Sequence, residues 1–114
     1  TLPADNELLS NLLMELRRGT LILSVLSQLG EPKYGYSLVQ NLTQRGVEIE
    51  PNTLYPLLRR LENQGLLESR WETAGQRPRK YYQRTKDGTL IYRELKSEWE
   101  TLCSGVGNLL EEES

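Results

Sequence analysis

Histidine and phenylalanine are absent from these 114 residues, and cysteine and methionine occur once each. Without histidine there is no imidazole base, acid or metal ligand. The remaining residues supply no nucleophile–base pair, no GxGxxG or phosphate loop and no metal-ligand cluster. Glu98 and Glu100 stand two apart on a helix, a spacing at which side chains do not face one another. No enzyme is expected, and no catalytic residue, metal or cofactor is assigned. Cys103 has no partner for an internal disulfide, which favours a reducing compartment, so the cytoplasm is the expected address. The thiol itself reads as buried and inert rather than as a redox sensor. No apolar run approaches the roughly 18 residues of a membrane span, and no basic-then-apolar leader suggests export. Thr1 in place of an initiator Met reads as a trimmed start, which leaves a removed leader open.

The formal charge of −2 hides a segregation. Residues 1–50 carry four basic and six acidic side chains, and residues 87–114 carry two basic and seven acidic. Between them, residues 51–86 hold eight basic (Arg59, Arg60, Arg70, Arg77, Arg79, Lys80, Arg84, Lys86) against three acidic (Glu62, Glu68, Glu72). Salt screens charges farther apart than about 8 Å, so the local excess decides what approaches. The chain reads as a basic module flanked by acidic helices.

Leucine carries most of the apolar load, at helical spacing. DNELLSNLLMELRR has Leu8, Leu9, Leu12, Leu13 and Leu16 on one face, with Asp5 or Asn6 as cap. A second helix follows with Leu21, Ile22, Val25, Leu26 and Leu29, ending at Gly30 and Pro32. GYSLVQNLTQRG (35–46) is a third, closed by Gly46 in the left-handed region. VEIEP alternates like a very short strand. PNTLYPLLRRLENQG (51–65) places Leu54, Leu57, Leu58 and Leu61 in a buried stripe, and LLESRWE and KYYQRT (80–85) form a β-hairpin around the turn TAGQRPR. The last helix runs from a Thr85 cap into an acidic tail. The predicted class is mainly α with a small β-hairpin wing: a winged helix-turn-helix with N-terminal and long C-terminal dimerisation helices. Residues 1–86 form the DNA-binding domain with the N-terminal helix, and 87–114 the dimerisation helix.

With the leucine stripe inward, Asn52, Tyr55, Pro56, Arg59 and Asn63 face outward and Arg60 lies at an edge. Such a polar, aromatic and cationic face suits a major groove. Pro51 is read as preceding the helix, Thr53 as its cap, and Pro56 as falling in the first turn, where a proline costs little. The prolines then stiffen the leading end, the part that touches base edges in helix-turn-helix proteins. Arg59 serves either a phosphate or guanine O6 and N7, and only the second reads sequence. Thr53 and Tyr55 are placed to bond phosphate oxygens; Arg60 either pairs with a nearby Glu or is solvated. Arg77, Arg79 and Lys80 at the hairpin tip suit phosphate contact or insertion of one Arg into a minor groove, against the plainer role of a solvated loop. Tyr81 and Tyr82 point to opposite faces of their strand, and Trp71 is expected to pack the hairpin onto the helices.

RGTLILSVLSQLG, YGYSLVQNL, NTLYPLLRRLENQGLL and RPRKYYQRTKDG together resemble the PadR family of bacterial transcriptional regulators over roughly residues 15–100. TLYPLLRRLE followed by GLL, and RKYYQRT followed by G, carry the resemblance most specifically. It implies a dimeric winged-helix repressor of the short subfamily, whose last helix crosses to the partner and which a small molecule releases from DNA. The full set of candidate DNA contacts is then Tyr34, Tyr36, Ser37, Asn52, Thr53, Tyr55, Pro56, Arg59, Arg77, Arg79 and Lys80. Asn52 departs from the small residue common in the family, and either adds a contact or caps the helix.

The dimer also follows from spacing. Tyr92, Leu95, Trp99, Leu102, Val106 and Leu109 recur at 3, 4, 3, 4, 3, a heptad seam, with Leu8 and Leu12 of the first helix as further cover. Gly105 and Gly107 weaken that helix near its end. A twofold dimer calls for a pseudo-palindromic operator in double-stranded DNA. The resemblance further implies that Trp99 stacks on a planar aromatic effector between subunits; seam packing is its competing role. The rival functional reading is a winged-helix module for protein–protein contact without DNA binding.

Overall fold

The computed structural model describes residues 6–75 and 77–112. The elements are α1 (Asn6–Ser27), β1 (Lys33–Tyr34), α2 (Gly35–Gln44), α3 (Pro51–Asn63), β2 (Leu67–Glu72), β3 (Arg79–Arg84) and α4 (Lys86–Glu111). The mainly helical winged architecture expected from the sequence is observed, with several differences in detail. The two leucine-rich segments before Gly30 form one helix, α1, of 22 residues. Gly19 alone does not stop it: a mid-helix glycine costs about 1 kcal/mol, no proline falls there, and the Thr20 hydroxyl donates back to Arg17 O at 2.7 Å instead of capping a new helix. Asp5, one of the two candidate caps, lies outside the described residues, and Asn6 is helical.

VEIEP is not a strand; residues 47–50 are irregular, and Ile49 simply drops into the core. The third strand is β1, two residues long, which pairs with β3 through Lys33↔Tyr82 and Tyr34↔Tyr81. The sheet is antiparallel in the order β1-β3-β2. Two residues bounded by Pro32 and Gly35 carry no detectable alternation, which is why this strand escapes a reading by periodicity.

At α3 the cap is Glu50, in an extended conformation, and Pro51 is the first helical residue. Thr53 is therefore inside the helix and its N–H bonds Glu50 O at 2.9 Å. Pro at the first position is pre-set for the helix and lacks only an N–H that would be orphaned anyway. Pro56 consequently stands in the helix interior, not the first turn, and cannot donate to the carbonyl of Asn52. Gly46 and Gly65 adopt positive φ, 93° and 82°, and turn the chain out of α2 and α3.

The core is built from Val25, Leu26 and Leu29 of α1 and its exit, Leu38 and Leu42 of α2, Leu54, Leu57, Leu58 and Leu61 of α3, Leu67 of β2 and Tyr82 of β3. Trp71 takes no part in it. Tyr82 and Leu67, one and two steps deeper on that face, hold the hairpin on the helices, and the Trp71 ring lies 61% exposed beyond them.

The radius of gyration is 16.9 Å, against about 13 Å for a compact chain of this size. The excess comes from the leading half of α1 and the trailing half of α4, which project past the core with Leu8, Leu9, Leu12, Leu16, Leu95, Trp99, Leu102, Val106 and Leu109 exposed. Cys103 is exposed there as well, in place of the buried thiol expected.

Candidate nucleic-acid interface

α2 and α3 meet closely at one point. A Cβ on Gly35, the first residue of α2, would stand 2.9 Å from both Cζ and Oη of Tyr55. Only glycine lets the Tyr55 ring lie over the entry to α2. Tyr55 is thereby fixed against the uncapped N-terminus of that helix, beside exposed Tyr36 and half-buried Ser37. Free N–H groups at a helix N-terminus and a phenolic hydroxyl are all hydrogen-bond donors, the chemistry a phosphate accepts.

The rest of α3 divides by flank. Asn52, Arg59 and Asn63 are exposed on the outward face. Thr53 and Pro56 instead line a groove toward α1 with Arg18, Leu21, Ile22 and Arg60. Tyr55, Arg59 and Glu62 follow at spacings of four and three residues, so they share a stripe that runs toward the hairpin.

The wing departs from its reading as three free cations at a tip. Arg77 is exposed in the turn. Arg79 belongs to β3, and its guanidinium lies 5.0 Å from the centre of the Tyr34 ring, which meets Tyr81 edge-on at 5.8 Å. Lys80 points to the opposite face. Its Nζ is 3.7 Å from Glu62 Oε1 and lies over the rings of Tyr82 and Trp71 at 5.4 and 5.9 Å. Ser69 Oγ donates to the other Glu62 oxygen. The single carboxylate on the stripe is thus neutralised by Lys80 and held by Ser69.

Arg84 ties the wing to the helices at its far end. Its Nη1 donates to Leu26 O at 2.9 Å, its backbone N–H to Leu29 O at 2.8 Å, and its guanidinium faces the Tyr92 ring at 4.5 Å. Tyr92, read as the first residue of the seam, is therefore packed within its own chain, and the exposed part of the seam begins at Leu95. The roles of Gly35 and Arg84 were not read from the sequence. YGY around Gly35 was visible, but its meaning depends on which ring lies above it.

The geometry is that of a helix-turn-helix with a cationic wing, and comparison with known proteins agrees. The model of the transcriptional regulator PadR-like family matches residues 22–94, well over half the chain. This protein belongs to the PadR-like family. A PadR family transcriptional regulator from Eggerthella lenta is similar at 56% identity, covering 95% of this chain and 96% of that one, with a TM-score of 0.86. A PadR-like transcriptional regulator from Bacillus cereus superposes with a TM-score of 0.76 at 30% identity, over 84% and 96% of the two chains. The transcriptional regulator Rv3488 of Mycobacterium tuberculosis is 33% identical over 93 residues, 81% of this chain and 87% of that protein. The PadR-like chain is accordingly a transcriptional regulator, of a family of regulators and not of enzymes. Among the described residues no helix is long and apolar enough to cross a membrane, and no group of three or more Cys, Asp or Glu is placed to hold a metal.

Proposed function

We propose that this PadR-like regulator acts in the cytoplasm as a homodimeric, sequence-specific DNA-binding repressor. The observation that carries the reading is the surface formed by Tyr36 and Ser37 at the start of α2, Tyr55 and Arg59 on α3, and the wing with Arg77 exposed at its turn. Helix donors and Tyr55 take phosphates on one side, Arg59 faces the groove, and the wing takes the backbone on the other. Tyr34 braces Arg79 in this scheme and does not touch DNA itself. Thr53 and Pro56, on the α1 flank, shape the helix.

Residues 87–114 supply the dimer. The exposed seam from Leu95 to Leu109 is too apolar for a free surface, and the projecting half of α1 with Leu8 and Leu12 offers the complementary cover. Two copies then present α3 to half-sites of a pseudo-palindrome. Trp99, 44% exposed on the seam, stacks on a planar aromatic effector between subunits, and that binding releases the operator.

Fluorescence anisotropy of the duplex upstream of the protein's own gene, against a scrambled duplex and over a salt series, tests the reading. Preferential binding that weakens steeply with salt is expected. Binding to neither duplex at low salt would leave the protein-contact module as the function.

A further inference from the structure

Trp71 is exposed in a place where the fold gives it a direction. It pairs directly with Lys80 across the β2–β3 ladder, so the two side chains stand on the same face of the sheet. That face is the one turned to α3, because Ser69 and Lys80, which share it, both reach Glu62. Glu62 is in turn the last member of the stripe Tyr55–Arg59–Glu62. The surface therefore continues without a break from Tyr55 through Arg59 and the neutralised Glu62 to Lys80 and the Trp71 indole.

We propose that Trp71 is a DNA-contacting residue: its ring lies flat against a deoxyribose beside the groove that receives α3, and its Nε1–H donates to a neighbouring phosphate oxygen. Three observations carry this. The ring is 61% exposed although Tyr82 and Leu67, deeper on the same face, are buried. It stands outside the α4 seam, so the dimer proposed above does not need it. The strands and turn that carry it, residues 67–84, hold five basic and two acidic side chains, and one further carboxylate on the stripe, Glu62, is paired with Lys80. A ring with one N–H and a cationic surround matches an anionic backbone that alternates flat sugars with acceptor oxygens. Trp71 adds affinity and register but reads no base.

The inference rests on the DNA-binding reading, and one experiment separates the two. The protein is labelled with 5-fluorotryptophan, whose two fluorine resonances are assigned with Trp71→Phe. It is then titrated with operator and scrambled duplexes while anisotropy reports binding. The Trp71 resonance is expected to move with saturation of the duplex. Trp71→Ala, folded by circular dichroism, is expected to weaken operator and scrambled DNA alike by roughly fivefold to tenfold, leaving their ratio unchanged. Duplex binding with an unmoved Trp71 resonance and an unchanged affinity for Trp71→Ala would overturn the assignment while leaving the DNA reading intact. A large loss on the operator alone would overturn the backbone role. No binding by the parent protein would remove both readings.

Discussion

Gly88 is the third residue of α4, a position at which alanine ordinarily improves a helix. Here the opposite is expected. A Cβ on Gly88 would stand 2.9 Å from the carbonyl carbon of Leu66 and 3.3 Å from its Cα, with the Leu66 oxygen nearer still. These are backbone atoms of the turn out of α3, and no side-chain rotation removes them. Relief requires the first turn of α4 to swing away. That movement breaks the bond from Thr85 N to Leu66 O (3.1 Å) and the one from Thr85 Oγ1 to Gly65 O (2.7 Å). Overpacking costs about 1–3 kcal/mol and each lost hydrogen bond about 1 kcal/mol, offset by about 1 kcal/mol of helix propensity. The net loss for Gly88→Ala is about 2–4 kcal/mol, which lowers Tm by roughly 8–16 °C in a chain of this length. Gly19→Ala is the internal reference, since a Cβ there meets nothing within 4 Å of its own chain. It is expected to gain about 0.5–1 kcal/mol. Thermal and urea unfolding followed at the helical circular-dichroism band measure both. Gly88→Ala as stable as the parent, or stabilised in step with Gly19→Ala, would refute the packing argument at the junction of α3 and α4.

Three further outcomes concern function. Arg59→Ala is expected to reduce operator binding by about 1–3 kcal/mol per half-site relative to scrambled DNA; equal losses in anisotropy on both duplexes would reassign Arg59 to a phosphate. Arg77→Ala is expected to flatten the log–log salt slope by about 2 in a dimer, one phosphate per subunit. Arg79→Ala, whose guanidinium already lies over Tyr34, should change the slope less, and the reverse ranking would mean that the turn and not the strand is idle. Leu95→Asp combined with Leu102→Asp removes four apolar side chains from the proposed seam of a dimer, about 6 kcal/mol or more, or at least about four orders of magnitude in Kd. Light scattering should then give the mass of one chain, and an unchanged dimer would move the interface off α4.

What was legible in the sequence is the part that repeats. Leu54, Leu57, Leu58 and Leu61 announce α3 by period, Gly46 and Gly65 mark the exits, and Thr85 caps α4 by accepting from the Gly88 N–H at 2.9 Å. The merger of two helices into α1 was not legible, because a glycine between two leucine stripes looks like a stop but costs too little to be one. The start of α3 was misplaced by about one turn for a related reason: Thr53 has the chemistry of a cap, yet Pro51 fits the first helical position better and takes it. Local preference gave two answers at each of these points, and packing chose between them.

The wing shows the same limit where it bears on function. Period two correctly separates Tyr82, buried, from Tyr81, half-buried, because one strand suffices for that. The partners of Lys80, Arg79 and Trp71 depend on three elements meeting, and no one-dimensional pattern contains that. A run of RPRK reads as three equivalent cations; folded, Arg79 lies over the Tyr34 ring, Lys80 pairs with Glu62, and Arg77 is exposed in the turn. An indole reads as core because tryptophan is usually well buried. Register overrides that habit here: Leu67, Ser69 and Trp71 share a face, α3 covers the first two, and the helix ends at Asn63 before it reaches the third. With Lys80 paired to Glu62 and Arg79 laid over Tyr34, the exposed Trp71 ring and the Arg77 turn are the parts of the wing left open to the DNA partner proposed above.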